Sequence, residues 1–170
     1  MASIFLRRPP EQAVGVMPGV GDSAPDVPDS DNYLLIFLRH VGCPFAEQAV
    51  REARSWKRQH PQVQVCIVSH GDAASTAEWL TSIGGSEGLE TIIDESRGLH
   101  GTWGLGFCSG WHFMGPRSLF GVMRLWPQGV FNRSASGTRW QQSGMFRVVN
   151  RRVRWRHIPA SAQEFQLPES

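Results

Sequence analysis

The sequence predicts an α/β protein with one central mixed β-sheet, helices on its faces and a long aromatic-rich loop inserted before the last strands. Two observations carry that reading. Three apolar runs, YLLIFL at 33–38, VQVCIVS at 63–69 and LETII at 89–93, alternate with two segments of helical pattern. A β-α-β-α-β order implies parallel pairing through right-handed crossovers. Near the end, 145–149 and 152–157 read as two strands with a turn at Asn150-Arg151, so a hairpin closes the sheet.

Each element follows from its residues. The run at 33–38 has no polar alternation, as expected of a strand buried on both faces. Pro44 fits the first helical position, where a missing N–H costs nothing. Phe45, Ala49, Ala53 and Trp56 then fall on one face, and Glu47, Arg51, Arg54 and Arg58 lie off it. Glu47 and Arg51 stand four apart, a favourable ion-pair spacing. His60-Pro61 ends this helix. A second helix spans 73–83, capped by Asp72 or Ser75 and stopped by Gly84-Gly85. From 101 to 138 the chain is rich in Gly and Trp, with a short helix expected over 118–126. The domain reading is therefore an N-terminal loop segment over 1–32, a folded domain over 33–159 with its insertion at about 101–138, and a C-terminal tail over 160–170.

Composition narrows the function classes. Apolar residues make up 41% of the 170 and charged residues 19%, an ordinary globular balance. A net charge of +2 gives no support for nucleic-acid binding. No stretch is long and apolar enough to span a bilayer, and MASIFLRRPPEQ lacks the apolar core of a signal peptide. The 3 cysteines, Cys43, Cys66 and Cys108, are odd in number and widely spaced, unlike a secreted disulfide framework. A cytoplasmic protein is expected.

The chemistry concentrates in FLRHVGCPFAEQ, residues 37–48. A strand runs into Gly42-Cys43-Pro44 and then into a helix, which sets one thiol at the positive end of a helix dipole. Arg39 and His40 stand close by in sequence. Cys66 lies mid-strand and reads as core. Cys108 sits in the long loop and is the candidate resolving thiol for an oxidised Cys43. Trp103, Phe107, Trp111, His112, Phe113, Phe120 and Trp126 either roof the sheet or line an apolar pocket over Cys43. In the second case Arg117, Arg124 or Arg139 would orient a ligand, and His112 or His40 would act as acid or base. Two weaker patterns, G-x-C-x-G at 106–110 and the C-x-x-x-H pairs Cys66/His70 and Cys108/His112, lack the flanking elements or the exposure they need. No metal and no cofactor is expected.

Four stretches together resemble the AhpC/TSA group of peroxiredoxins, within the thioredoxin-like superfamily. Gly21-Asp22-Ser23-Ala24-Pro25-Asp26 is similar to their GD-x-AP-D opening, FLRHVGCPFAEQ to their strand–Cys–helix junction, and IIDESRGLHGTWGL with GTRWQQSGMFRVVNRRVRWRH to their later segments and closing hairpin. The branch that keeps GCPFA and GTRWQ is the nearest likeness. The resemblance implies a thioredoxin-like fold and a thiol-dependent oxidoreductase in which Cys43 attacks a peroxide, Arg139 (or, next in line, Arg147) stabilises charge and an external thiol is the reductant. The chain departs from the pattern in four places. His40 stands where the family has Thr. Ala46 removes a C-x-x-C partner, Ser143-Gly144-Met145 replaces the usual cis-proline region, and Arg139 is off the usual arginine offset. These departures keep a rival open, a non-redox thioredoxin-fold enzyme or binding protein acting on a small apolar metabolite. The expected site residues are Cys43, His40 and Arg139, with Phe45, Trp103, Trp111, His112, Arg117 and Trp140 around a substrate pocket. A homodimer is compatible with the aromatic surface.

Overall fold

The computed structural model describes residues 8–25, 30–109, 120, 121, 123, 124, 127, 129 and 136–169. The strands are β1 (Asn32–Phe37), β2 (Gln64–Ser69), β3 (Glu90–Ile93), β4 (Gly144–Val149) and β5 (Arg152–His157). The helices are α1 (Pro44–Gln59), α2 (Ala73–Ser82) and the single turn α3 (Gly98–Thr102). The strands form one sheet in the order β3-β2-β1-β4-β5. β1, β2 and β3 are parallel, with Leu35 opposite Cys66 and Cys66 opposite Glu90. β4 is antiparallel to β1 and to β5, so the sheet is mixed as the sequence predicts. Asn150 and Arg151 both take left-handed φ, 51° and 59°, and close the two-residue hairpin turn that suits the strand twist.

The period of two in β1 divides the core. Leu34, Ile36 and Leu38 face one layer with Ala46, Val50 and Ala53 of α1. Tyr33, Leu35 and Phe37 face the other with Trp103, Leu105 and Phe146. Both faces of β1 are therefore covered, which explains its uninterrupted apolar run.

Two side chains of α1 depart from the expected polar face. Glu47 is buried and accepts from Arg51 at 2.6 Å. Arg54 is buried because its guanidinium donates to Ile83 O at 3.0 Å and Gly85 O at 2.8 Å, satisfying carbonyls at the end of α2. Helical spacing alone does not show such partners, since they come from another element.

The described N-terminal and C-terminal segments both lie on the sheet domain. Gly15 N–H donates to Gly101 O at 2.9 Å, and Gly21 N–H donates to Val153 O at 2.8 Å. Gly104, at φ +76°, lets this strap pass, since a Cβ there would stand 2.4 Å from Met17 Cα. At the other end Ala162 is buried, Phe165 and Leu167 pack against the α1 layer, and Trp56 Nε1 donates to Pro168 O at 3.0 Å. Of the helix expected over 118–126, Phe120, Gly121, Met123 and Arg124 have helical backbone, and its other residues lie outside the described ones.

Candidate active site

The C-terminal ends of parallel strands are where an open α/β sheet leaves room for a ligand. Here those ends carry three histidines: His40 after β1, His70 after β2, and His100 in the turn of α3 that follows β3. All three are buried.

Cys43 is the N-cap residue of α1, extended at φ −76° and ψ 131°, with Pro44 next. Its N–H donates to His40 O at 3.2 Å and its carbonyl accepts from Glu47 N–H at 3.0 Å. Gly42 makes the tight turn between them at φ +83°. The thiol makes no capping bond of its own, and it is 4% exposed.

His40 is 5% exposed, and its Nδ1 has no hydrogen-bond partner. Burial, then the charges of Arg39, Arg139 and His70, hold its pKa well below the ordinary value, so the ring is neutral. Arg39 and Arg139 thus act on His40 through their charge. Arg147 is not: its guanidinium donates to Tyr33 O and to Asn32 Oδ1, at the start of β1 and the far end of the sheet. That removes Arg147 as the second candidate for charge stabilisation at Cys43.

Cys108 lies under the 136–141 segment. Its N–H donates to Trp140 O at 2.8 Å, and its sulfur lies 3.8 Å from Arg139 O. Burial pushes its thiol pKa up, partly opposed by Arg39. Cys66 faces the other way, 3.9 Å from Glu90 Oε2, and burial with that carboxylate pushes it up to about 12. All three cysteines are unpaired thiols.

Sequence reasoning missed the histidine row as a unit. Asp94 Oδ2 accepts from His100 Nδ1 at 2.7 Å and from the His100 amide at 3.0 Å, which fixes the His100 tautomer. His70 packs edge-to-face on His100 with ring centres 5.3 Å apart, and its Nε2–H donates to Thr138 O at 3.0 Å. His70 is held down to about 3, by burial first and then by His100. His70 Nδ1 and His100 Nε2 are left buried without a partner. The available signal was positional: one polar imidazole just past each apolar parallel strand.

The expected aromatic pocket is only partly found. Phe45 sits two residues beyond Cys43 in the α1 layer, and its ring lies close under Gly121, where an added Cβ would come within 2.9 Å. Trp103 is a correction: it is fully buried among Phe37 and Phe146, with ring centres 6.0 and 4.7 Å away, and serves as core rather than as a pocket wall. Large aromatics carry the most apolar area, so a sheet layer recruits them first. Trp140 is half-buried and lies with Phe107 beneath Arg8, whose Cζ is 5.9 and 5.3 Å from the two ring centres. Trp111, His112 and Arg117 lie outside the described residues. A surface cleft of about 210 Å³ is lined by Arg8, Glu11, Gln12, Val14, Gly106 and Phe107, between the N-terminal strap and the loop after α3. Among the described residues no group of three His, Cys, Asp or Glu is placed to hold a metal, and no helix is long and apolar enough to cross a membrane.

The arrangement, a thiol at a helix start after the first strand of a mixed five-stranded sheet, defines a thioredoxin-like fold. Comparison with solved structures narrows it to the peroxiredoxin-like form. A thiol peroxidase from Chromobacterium violaceum superposes with a TM-score of 0.60 at 14% identity, covering 91% of this chain and 84% of that one. A peroxiredoxin-like protein from Aquifex aeolicus gives 0.61 at 14%, again covering 91% and 84%. Reduced Prx3 from Vibrio vulnificus, in complex with hydrogen peroxide, gives 0.57 at 12%, covering 88% and 89%. No protein-family model and no curated protein matches the sequence. The chain therefore has a peroxiredoxin-like thioredoxin fold, shared at the level of structure.

Proposed function

We propose that the protein is a thiol-dependent peroxidase with Cys43 as its nucleophile. The observation that carries this reading is an uncapped thiol at the start of α1 whose N–H is bonded to His40 O, a neutral histidine that lies in the field of Arg39 and Arg139. In the proposed step the Cys43 thiol gives its proton to His40, and the thiolate attacks the terminal oxygen of ROOH. The S–O bond forms as the O–O bond breaks. The leaving RO⁻ takes the proton from His40 and departs as ROH, leaving Cys43 as sulfenic acid. Arg139 stabilises the thiolate and the charge developing on the leaving oxygen. Two external thiols then return Cys43 to the thiol, releasing water and a disulfide. Cys108 is the alternative resolving thiol, and its raised pKa makes it a poor attacker until a base deprotonates it. Three unpaired thiols suit a reducing, cytoplasmic setting. Phe120 and Met123, 73% and 60% exposed, offer an apolar surface for a homodimer.

The test is a brief peroxide pulse on reduced protein in the presence of a sulfenic-acid trap, followed by peptide mapping. Rapid labelling at Cys43 is expected. Labelling no faster than that of an ordinary exposed thiol refutes the reading.

One observation favours a second reading, a non-redox enzyme acting on a small apolar metabolite. The Asp94–His100–His70 row is a buried acid–base set that peroxide chemistry at Cys43 does not require. Under that reading Cys43→Ala keeps turnover, and His100→Gln abolishes it.

A further inference from the structure

The charges near His40 do not balance. Arg39 is 6% exposed, and its Nε and Nη1 have no acceptor. Arg139 leaves its Nε buried in the same condition. Arg97, whose Cζ lies 5.1 Å from the Phe107 ring centre, leaves Nη1 buried as well. Arg39 is the buried one of the three, Arg139 and Arg97 being half-buried, and the histidines contribute no charge to offset any of them, since burial keeps His40, His70 and His100 neutral.

The carboxylates of the neighbourhood are already engaged. Asp94 is taken by His100 and lies in the field of Arg97. Asp72 accepts from Ser75 N–H at 2.8 Å and Ser136 Oγ at 2.7 Å. Glu47 is turned toward Arg51. Among the described residues, no carboxylate is bonded to Arg39 or Arg139. A Cys43 thiolate would offset one of these two charges and leave the other. A buried charge without its partner is strongly unfavourable, so the site is built for a negative group that the described residues do not supply.

We propose that this group belongs to the reactant: the substrate is a carboxylate-bearing hydroperoxide, its carboxylate held by Arg39 while its O–O bond meets Cys43 and Arg139. The proposal rests on the peroxidase reading above and adds the substrate class. The chemical step is unchanged, and the carboxylate is a spectator that orients the peroxide. Arg39 is then a specificity residue. Cys108, held under Arg139 O, belongs to the same wall.

Two measurements test it. The first compares single-turnover oxidation of Cys43 by cumene hydroperoxide and by its ring-carboxylated analogue, which share a leaving group and differ in charge. The unaltered protein should prefer the carboxylated peroxide at least tenfold, and Arg39→Gln should bring the ratio near one. Arg39→Lys, which keeps the charge, should retain part of the preference, and it serves if Arg39→Gln does not fold. A ratio of one or less in the unaltered protein overturns the proposal without any variant. The second titrates benzoate into the Cys43→Ser protein by calorimetry. Saturable binding that Arg39→Gln weakens at least tenfold, and that Arg58→Gln on the exposed side of α1 leaves unchanged, supports the anion site. No binding, or equal binding in Arg39→Gln, overturns it. If neither peroxide oxidises Cys43, the peroxidase reading has failed, and the benzoate titration alone decides whether Arg39 holds an anion.

Discussion

Asp94 is the one described carboxylate that fixes a histidine of the candidate site, and its removal has a calculable cost. Asp94→Ala takes away the acceptor of two hydrogen bonds, from His100 Nδ1 at 2.7 Å and the His100 amide at 3.0 Å. Bonds to a charged acceptor contribute about 1.5–3 kcal/mol each, so losing the two costs about 3–5 kcal/mol in all. The ring of His100 has no exposed surface, so water cannot replace what is lost. Asp94→Asn keeps an oxygen in place but not the charge, and should cost about 1–2 kcal/mol. In a domain of this size 1 kcal/mol lowers Tm by about 2–4 °C, so the alanine variant should melt about 10–15 °C lower and the asparagine variant about 3–6 °C lower. Urea unfolding followed by tryptophan fluorescence reads the difference directly. The pH dependence adds a second check. The bonds from His100 hold the Asp94 carboxyl below its ordinary pKa against the effect of burial, so its contribution is full above the unfolded value of about 3.9 and fades as pH falls through the lower folded value. The gap between the unaltered protein and Asp94→Asn should therefore narrow only in acid. An alanine variant within about 1 kcal/mol of the unaltered protein at pH 7 would refute the reasoning, because two buried bonds to a charged acceptor cannot be lost that cheaply.

Three further outcomes follow from the same geometry. Cys66 should resist iodoacetamide at pH 8 in the folded protein, since a thiol held at about 12 is only about one part in ten thousand thiolate, and Cys66→Ala should leave peroxide labelling of Cys43 unchanged. Arg139→Gln should slow the oxidation of Cys43 by about 10- to 1000-fold in stopped flow, while Arg147→Gln, at the far end of the sheet, should leave the rate alone and lower Tm. Gly104→Ala should cost about 2–4 kcal/mol or release the N-terminal strap, because the new Cβ meets Met17 backbone at a φ that alanine disfavours, and limited proteolysis between residues 8 and 18 reads the release.

Much of the fold was legible because local pattern and global placement agree. The run at 33–38 is apolar throughout because β1 is covered on both faces, and the expected strand lies within one residue of Asn32–Phe37 at each end. The Cys43-Pro44 start of α1 was legible from the proline alone, and the Asn150-Arg151 turn from its place between two alternating strands. Trp103 was misread as a pocket wall because an aromatic in a Gly-rich stretch carries no mark of which way it points. Glu47 and Arg54 were misread for a similar reason. A charged residue is assigned to solvent by default, and the partner that allows its burial lies on another turn or another helix.

By itself, the sequence determined which thiol stands at a helix start and that the sheet is mixed. Only the tertiary structure decided which charges share one space. His40, His70 and His100 lie thirty residues apart in sequence and come together because parallel strands place their C-terminal ends along one edge. Arg139 reaches that edge and Arg147 does not, although only eight positions separate them. The physical reason is that electrostatic and hydrogen-bonding partners are chosen by distance in space. The apolar periodicity that forms a strand or helix is chosen by distance along the chain.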